Sequence, residues 1–531
     1  MTANTIVIGA GSAGCVVAAR LSEDPDHRVL LLEAGGSDRS FLIQKPGMIA
    51  LIHTVKQIKD RFDWGYKTTP NELTRQRHIN YTRGKLLGGS SAINGMVWVR
   101  GNRKNFDDWA GEGCDGWSYD DVLPLFKRIE DFQGGADAHH GVGGPIPITI
   151  TDNKLSPVSF AFQEAVGETC GVPTEHDYNG ASQEGVGRVQ ISAKNGLRYS
   201  TSEAYLLPAL KRPNLDVQTN ATVLSLMFEG KRCVGVRYEQ DGQVHEARAD
   251  EVVLSAGAIG SPQILMLSGI GPHAHLREHG VDLIEDLPVG QNLHDHLFYP
   301  MTFLAPRGGH KGTPLHFFSS LLKEVLFGKT WLARSVFEMF AFVKTQSHLP
   351  IPDLQLHAMP WAYPPSQDGD DRPVVDLRPA FTVMPTLIYP QSRGEVRLKS
   401  ADPHAKPHID PHYLEEAADV ELLTRGIALC REIMGAAPVR GELREEIEPG
   451  PSISGQRLIA DIPQRVGTVY HPVGTCKMGT GPDAVVDPQL RVRGITGLRV
   501  ADASIMPSIV GGNTNAAAIM IGEKCAELMR R

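Results

Sequence analysis

Apolar and polar positions at the start of the chain predict a strand, a helix and a second strand. TIVI at 5–8 is a short strand-forming run, as expected of a strand buried on both faces. GAGSAG at 9–14 follows and leads into CVVAARLSE, an apolar helix that Pro25 ends. The next apolar run, HRVLLLEAG at 27–35, carries Glu33 near its carboxyl end. This order predicts a βαβ unit with a parallel sheet.

The glycine turn of this unit has the spacing of a dinucleotide-binding loop. Its glycines would let the backbone approach a pyrophosphate, and the following helix presents free N–H groups to that anion. Glu33 can accept hydrogen bonds from ribose hydroxyls. A merely structural turn is the alternative, and the motif does not distinguish NAD from FAD. The candidate cofactor-binding residues are Gly9, Gly11, Ser12, Ala13, Gly14, Glu33 and Ala34.

The middle of the chain favours a flavin fold. Residues 214–258 alternate apolar and polar positions through three short strands, with turns at EGK and QDG, and end in a buried strand. A β-meander that leads back into a parallel sheet is typical, by analogy, of FAD-binding folds. Beyond residue 293, strand-like runs at 352–360 and 394–401 predict a second, mainly antiparallel sheet.

These patterns predict an α/β protein of two domains. Residues 1–300 would form an FAD-binding, Rossmann-like domain with a parallel sheet and a β-meander. Residues 301–454 would form an α+β substrate-binding domain with a mainly antiparallel sheet. Residues 455–531 would return to the first domain through LRVADAS and a closing helix. At 531 residues the chain exceeds the size that one core usually fills.

Composition and charge exclude several classes of protein. The net charge is −8 and no Lys/Arg run is long enough to follow a phosphate backbone, so nucleic acid is not an expected partner. The seven cysteines are dispersed and form no CxxC pair, which argues against a disulfide framework and a zinc site. No metal is expected, since the histidines of NLHDHL have no cysteine nearby. A reducing, cytoplasmic location is expected, because the amino terminus has no signal-peptide pattern.

One apolar segment raises the question of a membrane. No stretch approaches the roughly 20 apolar residues of a spanning helix. LHFFSSLLKEVLFGKTWL at 315–332 is nevertheless apolar enough to touch a membrane surface. Core packing or the wall of a substrate channel is the favoured interpretation, and peripheral contact with the inner face of a membrane is the alternative.

Four long motifs identify a family resemblance. They are GKLLGGSSAINGMVWVRG at 84–101, GAIGSPQILMLSGIGP at 257–272, HPVGTCKMG at 471–479 and GGNTNAAAIMIGEK at 511–524. Together they resemble the glucose-methanol-choline family of FAD-dependent alcohol oxidoreductases. The branch that the sequence resembles most is that of the bacterial choline and aliphatic-alcohol dehydrogenases.

The resemblance implies how FAD is held. Some relatives carry a histidine that bonds covalently to the flavin one position before Asn94; here that position is Ile93, which predicts noncovalent FAD. A glycine-rich loop that begins a helix is the alternative for GGSSAIN, and a cap of the following turn is the alternative for Asp502. Further cofactor contacts implied by the family are Gly89, Asn94, Gly95, Met96, Val97, Val223, Asp502, Ala503 and Asn513.

The resemblance also assigns the chemistry. His471 occupies the position of the catalytic base, and a largely neutral imidazole suits proton removal from an alcohol. Pro472 favours an extended backbone at His471, which would aim the ring. Asn515 matches the second active-site position, where its amide could donate to the substrate oxygen. Capping of the closing helix by Asn513 or Asn515 is the alternative.

Four residues are candidates for substrate contact. Val469 and Tyr470 precede the base and would form part of the substrate wall, with core packing as the alternative for Val469. Glu338 and His357 align with substrate-contacting positions of choline-oxidising relatives. An internal ion pair for Glu338 and a hydrogen-bonded core position for His357 are the alternatives.

The predicted activity is oxidation of a primary alcohol to its aldehyde, by hydride transfer to flavin with a histidine base. The electron acceptor would be oxygen or a quinone, and a dehydrogenase is favoured over an oxidase. A lyase on the same scaffold, a nicotinamide-dependent dehydrogenase and a noncatalytic flavin protein are the rival functions. The sequence does not name the alcohol.

Overall fold

A computed structural model describes residues 2–152, 154–309, 313–328, 330–363 and 378–530 of the chain. The α-helices in these ranges are Gly14–Leu21, Phe41–Gln44, Ile49–Thr54, Lys56–Phe62, Arg103–Gly111, Tyr119–Ile129, Pro157–Cys170, Leu207–Ala209, Gly257–Leu267, His273–Glu278, Pro314–Phe327, Ala417–Gly435, Gln456–Arg465 and Asn515–Arg530. No helix of the described ranges has the length and apolar character needed to cross a membrane.

The first large sheet has seven strands and confirms the predicted Rossmann-like half of the fold. Four of its strand pairings are parallel, and the strands 222–229, 232–240 and 243–254 form the antiparallel meander. The last of these strands continues into the parallel part, and its buried end at 252–254 is the buried strand that the sequence predicts. The strands are Thr2–Ile8, Val29–Leu32, Leu215–Gln218, Thr222–Glu229, Arg232–Gln240, Gln243–Leu254 and Leu498–Val500.

The second large sheet has eight strands, all paired antiparallel, as the sequence predicts. The run at 394–401 is not part of it, because Glu395–Arg397 pairs only with His408–Asp410 in a separate hairpin. Three of its strands, at 185–188, 297–298 and 467–468, lie outside the predicted 301–454 domain. The strands are Gly185–Arg188, Leu297–Phe298, Met301–Leu304, Met339–Val343, Leu354–Met359, Ala380–Leu387, Glu446–Glu448 and Gly467–Thr468.

Two small sheets complete the described strands. Tyr66–Lys67 pairs with Asn80–Tyr81, and a four-stranded sheet contains Glu130–Phe132, Ile146–Ile150, Gln190–Lys194 and Leu197–Arg198. Each large sheet has its own buried apolar core, and Ile6 and Val253 are examples from the first, Leu356 and Ile427 from the second. Full burial of each such side chain contributes about 1.5–3 kcal/mol.

The closing helix, Asn515–Arg530, packs against the first helix, Gly14–Leu21. The two helices approach so closely that position 522 must be glycine, since a Cβ on Gly522 would lie 2.7 Å from the carbonyl oxygen of Ala13. An ion pair of 2.8 Å between Arg20 and the buried carboxylate of Glu523 joins the two helices. The carboxyl-terminal motif is thereby held beside the glycine turn.

Candidate active site

A cavity of about 890 Å³ is lined by residues from both large sheets and from the loops around them. Its volume lies within the range of about 300–1,000 Å³ that is usual for small-molecule sites. The cavity collects the glycine turn, the loop after residue 88, the HPVG motif and the start of the closing helix. Every site residue predicted from the sequence lines it except Gly14, Met96 and Glu338.

The three glycines of the glycine turn, Gly9, Gly11 and Gly14, have different surroundings. A Cβ on Gly14 would lie 1.9 Å from the carbonyl oxygen of Gly9, so Gly14 serves the turn itself. Gly9 has φ +93°, and a Cβ there would meet the backbone of Ser255 at 2.6 Å. A Cβ on Gly11 would meet nothing nearer than 3.9 Å, and Gly11 faces the cavity. The open space over Gly11 is therefore left for a ligand.

The backbone before His471 is strained and is held by buried polar groups. Tyr470 has φ 65°, in the left-handed region that few residues with side chains adopt. Asp295 accepts the backbone N–H of His471 at 2.8 Å and also accepts from the hydroxyls of Tyr413 and Thr468. The guanidinium of Arg83 donates to the carbonyl oxygen of Tyr470. These contacts, in addition to Pro472, aim the imidazole into the cavity.

A chain of hydrogen bonds assigns the tautomer of His471. His296 Nε2 lies 3.0 Å from the carbonyl oxygen of Ile388, which can only accept, so this nitrogen carries the proton. Burial lowers the pKa of His296 to about 3, so its Nδ1 is an unprotonated acceptor. That acceptor lies 3.0 Å from His471 Nδ1, which must therefore be the protonated nitrogen of His471. His471 Nε2 is therefore the unprotonated nitrogen, and its lone pair accepts from Asn513 Nδ2 at 3.2 Å.

The amide beside that lone pair belongs to Asn513. Its Nδ2 lies 3.2 Å from His471 Nε2, and its Oδ1 accepts from Gln355 Nε2 at 3.3 Å, which orients the amide. Asn515 Oδ1 instead accepts from the hydroxyl of Ser12 at 2.6 Å. The asparagine that contacts His471 is therefore Asn513, whereas Asn515 contacts the glycine turn, although both asparagines line the cavity.

Comparison with known proteins decides the family. The GMC oxidoreductase model for the amino-terminal part matches residues 3–298, and the model for the carboxyl-terminal part matches residues 390–522. The chain belongs to the GMC oxidoreductase family. The predicted resemblance is confirmed, and the protein is an FAD-dependent oxidoreductase that acts on CH–OH groups.

Similar GMC oxidoreductases cover almost the whole chain. An alcohol dehydrogenase [acceptor] of Pseudomonas putida is 41% identical over 541 residues, which is 99% of this chain and 95% of the relative. An oxygen-dependent choline dehydrogenase of Photobacterium profundum is also 41% identical, over 99% of this chain and 92% of its own. The crystal structure of a pyridoxine 4-oxidase from Mesorbium loti has a TM-score of 0.88 at 32% identity, covering 99% of this chain and 98% of that one.

The cavity of this GMC oxidoreductase fits FAD. Glu33 is 5% exposed and accepts the backbone N–H groups of Ala10 and Gly35 at 2.8 Å each, while burial raises the pKa of its carboxyl to about 7. Glu33 lines the cavity and could hold a ribose, with the pyrophosphate over Gly11. Ile93, at the position of covalent attachment in some relatives, also lines the cavity.

Asp502 combines the two roles considered from the sequence. Its Oδ1 accepts the backbone N–H of Ser504 at 2.8 Å and caps a short helical turn. Its Oδ2 accepts from the backbone of Gly257 at 2.8 Å and from the hydroxyl of Ser261 at 2.5 Å. Because Asp502 also lines the cavity, the cap and a cofactor contact are compatible.

Two predicted residues point away from the cavity. Glu338 is buried, and its Oε2 accepts from the backbone of Ser156 at 2.9 Å and from the hydroxyl of Ser159 at 2.5 Å. It does not line the cavity, which corrects the prediction of a substrate contact. Met96 is 1% exposed and its side chain belongs to an apolar cluster with Tyr178, so it supports the cavity wall from behind.

The substrate side of the cavity is mostly aromatic and apolar. Predicted Val469, Tyr470 and His357 all lie there. His357 Nδ1 is 2.8 Å from the hydroxyl of Thr386, and burial lowers the pKa of His357 to about 3. Apolar and aromatic neighbours that sequence reasoning did not predict are Phe298, Phe337, Met359, Trp361, Tyr363 and Met384.

Four further residues that shape the site escaped the sequence analysis. His53 stacks on Tyr470 with ring centroids 5.7 Å apart, and burial lowers the pKa of His53 to about 4. Arg83 and Asp295 hold the strained turn, and His296 holds the tautomer of the base. The motif NLHDHL contains the last two, but its spacing gives no sign that they contact His471.

One group in the described ranges has the composition of a metal site. His275, Glu278 and His279 place ligand atoms within 4.8 Å of one another. Both ring nitrogens of His275 are engaged, with the Arg397 guanidinium 3.2 Å from Nδ1 and the backbone N–H of Leu398 2.9 Å from Nε2. A guanidinium at this distance repels a cation, so the group supports no metal assignment.

Proposed function

We propose that this protein oxidises a neutral primary alcohol to its aldehyde, with noncovalently bound FAD and with His471 as the only general base. The observation that carries the proposal is the lone pair of His471 Nε2, which faces the cavity beside the Asn513 amide. A positioned base of this kind commonly contributes about 10²- to 10⁴-fold to the rate.

The residues divide the work as follows. The alcohol hydroxyl replaces Asn513 Nδ2 as the donor to His471 Nε2, which takes the proton, while the Asn513 amide donates instead to the substrate oxygen as negative charge develops there. FAD, when bound, supplies the acceptor for the hydride that leaves the carbinol carbon. His296 keeps the proton on His471 Nδ1, so that Nε2 remains the basic nitrogen throughout.

Noncovalent binding is supported by Ile93, whose aliphatic side chain offers no nucleophile at the position where some relatives attach the flavin. Acid precipitation of the holoenzyme tests this directly. We expect the yellow colour to remain in the supernatant, and a coloured pellet would contradict the proposal.

A neutral substrate is supported by the charges of the cavity. Among its described lining residues the only carboxylates are Glu33 and Asp502, which lie near the glycine turn and Gly257. Arg77 and Arg83 line it as well, and the aromatic wall lacks the carboxylate that a cationic head group would favour. We expect 1-hexanol and benzyl alcohol to reduce the flavin faster than choline does. The choline dehydrogenase relatives make the cationic alcohol the second candidate.

The electron acceptor is proposed to be a quinone, with oxygen as the alternative, and the name of the Pseudomonas putida relative, alcohol dehydrogenase [acceptor], favours a dehydrogenase over an oxidase. Reoxidation of the reduced enzyme in air and with a soluble quinone distinguishes the two. A lyase on the same scaffold would convert its substrate without bleaching the flavin in the absence of air.

The decisive experiment mixes the enzyme anaerobically with a panel of alcohols and follows loss of the oxidised-flavin absorbance. His471→Ala should retain flavin and lose at least about 10²-fold in the rate of reduction. Ser508→Ala is a matched control, since its hydroxyl bonds Trp109 at 3.1 Å and lies outside the cavity. Near-normal reduction by the His471 variant would remove this residue from the mechanism.

A further inference from the structure

The helix Pro314–Phe327, here called the lip helix, has two apolar faces instead of one. Its inner face contains Phe317 and Leu321, which line the cavity and pack near Trp331. Its outer face contains Leu315, Phe318, Leu322 and Leu326, which are 85%, 66%, 62% and 62% exposed. The inner face agrees with the expected channel wall, whereas the exposed outer face agrees with the alternative of contact with a membrane.

The outer face is a continuous stripe. Its four residues follow helical spacing, so their side chains lie on one side of the helix, and Phe327, 77% exposed, extends the stripe at the carboxyl end. Exposed large apolar side chains elsewhere in the described ranges, such as Val142 and Val244, do not form such a stripe. A contiguous exposed apolar surface marks a binding surface.

The charges around this stripe favour an anionic surface. Among the described residues between 307 and 328, Arg307 and Lys323 are basic and exposed and Glu324 is the only acid, in a chain whose net charge is −8. Glu324 is buried and forms an ion pair of 2.8 Å with Lys45, so its charge is compensated internally. Exposed Lys323 lies beside the apolar stripe. Apolar residues flanked by basic ones are the pattern of a helix that lies in a membrane interface.

The stripe adjoins the cavity. Phe318 is 66% exposed and also lines the cavity, so the cavity reaches the surface at the lip helix. A helix lying in the headgroup region would therefore open the cavity toward the acyl chains. We propose that the lip helix docks the enzyme on an anionic lipid bilayer and that apolar alcohols reach the cavity from the membrane. The second half of this inference rests on the proposed function; the docking does not.

A second copy of the chain is the other occupant to consider. A stable protein interface uses about 20–30 residues on each side. The stripe supplies five apolar side chains on one helix. A lipid surface needs no matching protein shape, and the basic flanks suit anionic headgroups but would repel a second copy of themselves.

Vesicle flotation of the holoenzyme tests the docking. We expect the protein to float with phosphatidylcholine–phosphatidylglycerol vesicles, and less with phosphatidylcholine alone. The variant L322S/L326S, whose residues do not line the cavity, should lose at least about tenfold in partition coefficient. Lys323→Glu should lower binding to the anionic vesicles only. Val244→Ser, on the exposed meander, is the matched control and should float as the wild type does.

Three results would overturn the docking. They are failure of the wild type to float with either vesicle, equal flotation of the wild type and L322S/L326S, or a wild-type dimer in light scattering that L322S/L326S converts to a monomer. Flavin absorbance confirms that each variant is folded.

Flavin reduction by 1-hexanol in buffer tests the proposed function separately, and L322S/L326S should retain the wild-type rate of reduction. With a long-chain alcohol carried in vesicles, the double variant should be slower than the wild type, and equal rates would refute delivery from the membrane.

Discussion

His296 makes the sharpest prediction, because it contacts His471 without lining the cavity. Its unprotonated Nδ1 accepts the Nδ1–H of His471, and this hydrogen bond keeps the basic lone pair on the cavity side. His296→Leu removes the acceptor and leaves a buried N–H without a partner, at a cost of about 1–3 kcal/mol. Relative to the wild type, the alternative tautomer, with its proton on Nε2 and no base facing the substrate, therefore gains up to that amount of free energy over the competent one.

The magnitude follows from the population of the competent tautomer. Each 1.36 kcal/mol is a factor of ten, so about 1–3 kcal/mol corresponds to a decrease of about 5- to 150-fold. Anaerobic stopped-flow measures this as the limiting rate of flavin reduction, with flavin content checked by absorbance. We expect the decrease in the limiting rate and little change in the dissociation constant of the alcohol.

His296→Asn is the matched variant. Its Oδ1 can take the place of Nδ1 as the acceptor, so we expect it to recover most of the rate that His296→Leu loses. A purely structural role would make the two variants equally slow, since both shorten the side chain. The tautomer argument is refuted if the two variants react equally, or if His296→Leu reduces its flavin at the wild-type rate.

Three further outcomes are expected. Asn513→Ala should slow flavin reduction by about 10²- to 10³-fold, whereas Asn515→Ala should weaken flavin retention with a smaller effect on rate; the reverse order would restore the original assignment. Burial and the neighbouring histidines and Arg83 hold the pKa of His471 well below 6.5, so its neutral form persists as pH falls and the acid limb of the rate profile should lie below pH 6.5; a limb centred at 6.5 would contradict this. Glu338→Gln should lower the free energy of unfolding by about 1–3 kcal/mol in denaturant titration and leave KM unchanged, and a raised KM would return Glu338 to the substrate site.

Much of the fold could be predicted because its signals are local. The strand, glycine turn and helix at 5–24 follow from continuous apolar runs and a fixed glycine spacing, and the meander follows from alternation between short turns. The run at 394–401 shows where this ends. The strand itself follows from a local pattern and was predicted. Its partner at 408–410 was not, because the choice of partner depends on which strand edges remain unpaired once the rest of the chain has folded.

The site divides in the same way. His471, Glu33 and the glycines lie in motifs whose chemistry can be recognised along the chain. Asn513 and Asn515 are two positions apart in one motif, and only the direction of the closing helix decides which amide faces the base. Sequence spacing cannot show that direction.

The sequence by itself determined the residue types: a pyrophosphate loop, a histidine that can act as base, amides near it and an apolar helix with basic flanks. The tertiary structure alone decided the contacts between distant residues. His296 lies 175 positions from the base whose tautomer it sets, and the carboxylate of Glu338 turns toward serines some 180 positions earlier. The physical reason is that hydrogen bonds and burial depend on distances in space. Local sequence patterns set the helices and strands, but the distances between residues far apart in the chain are set only when these elements pack into the two cores.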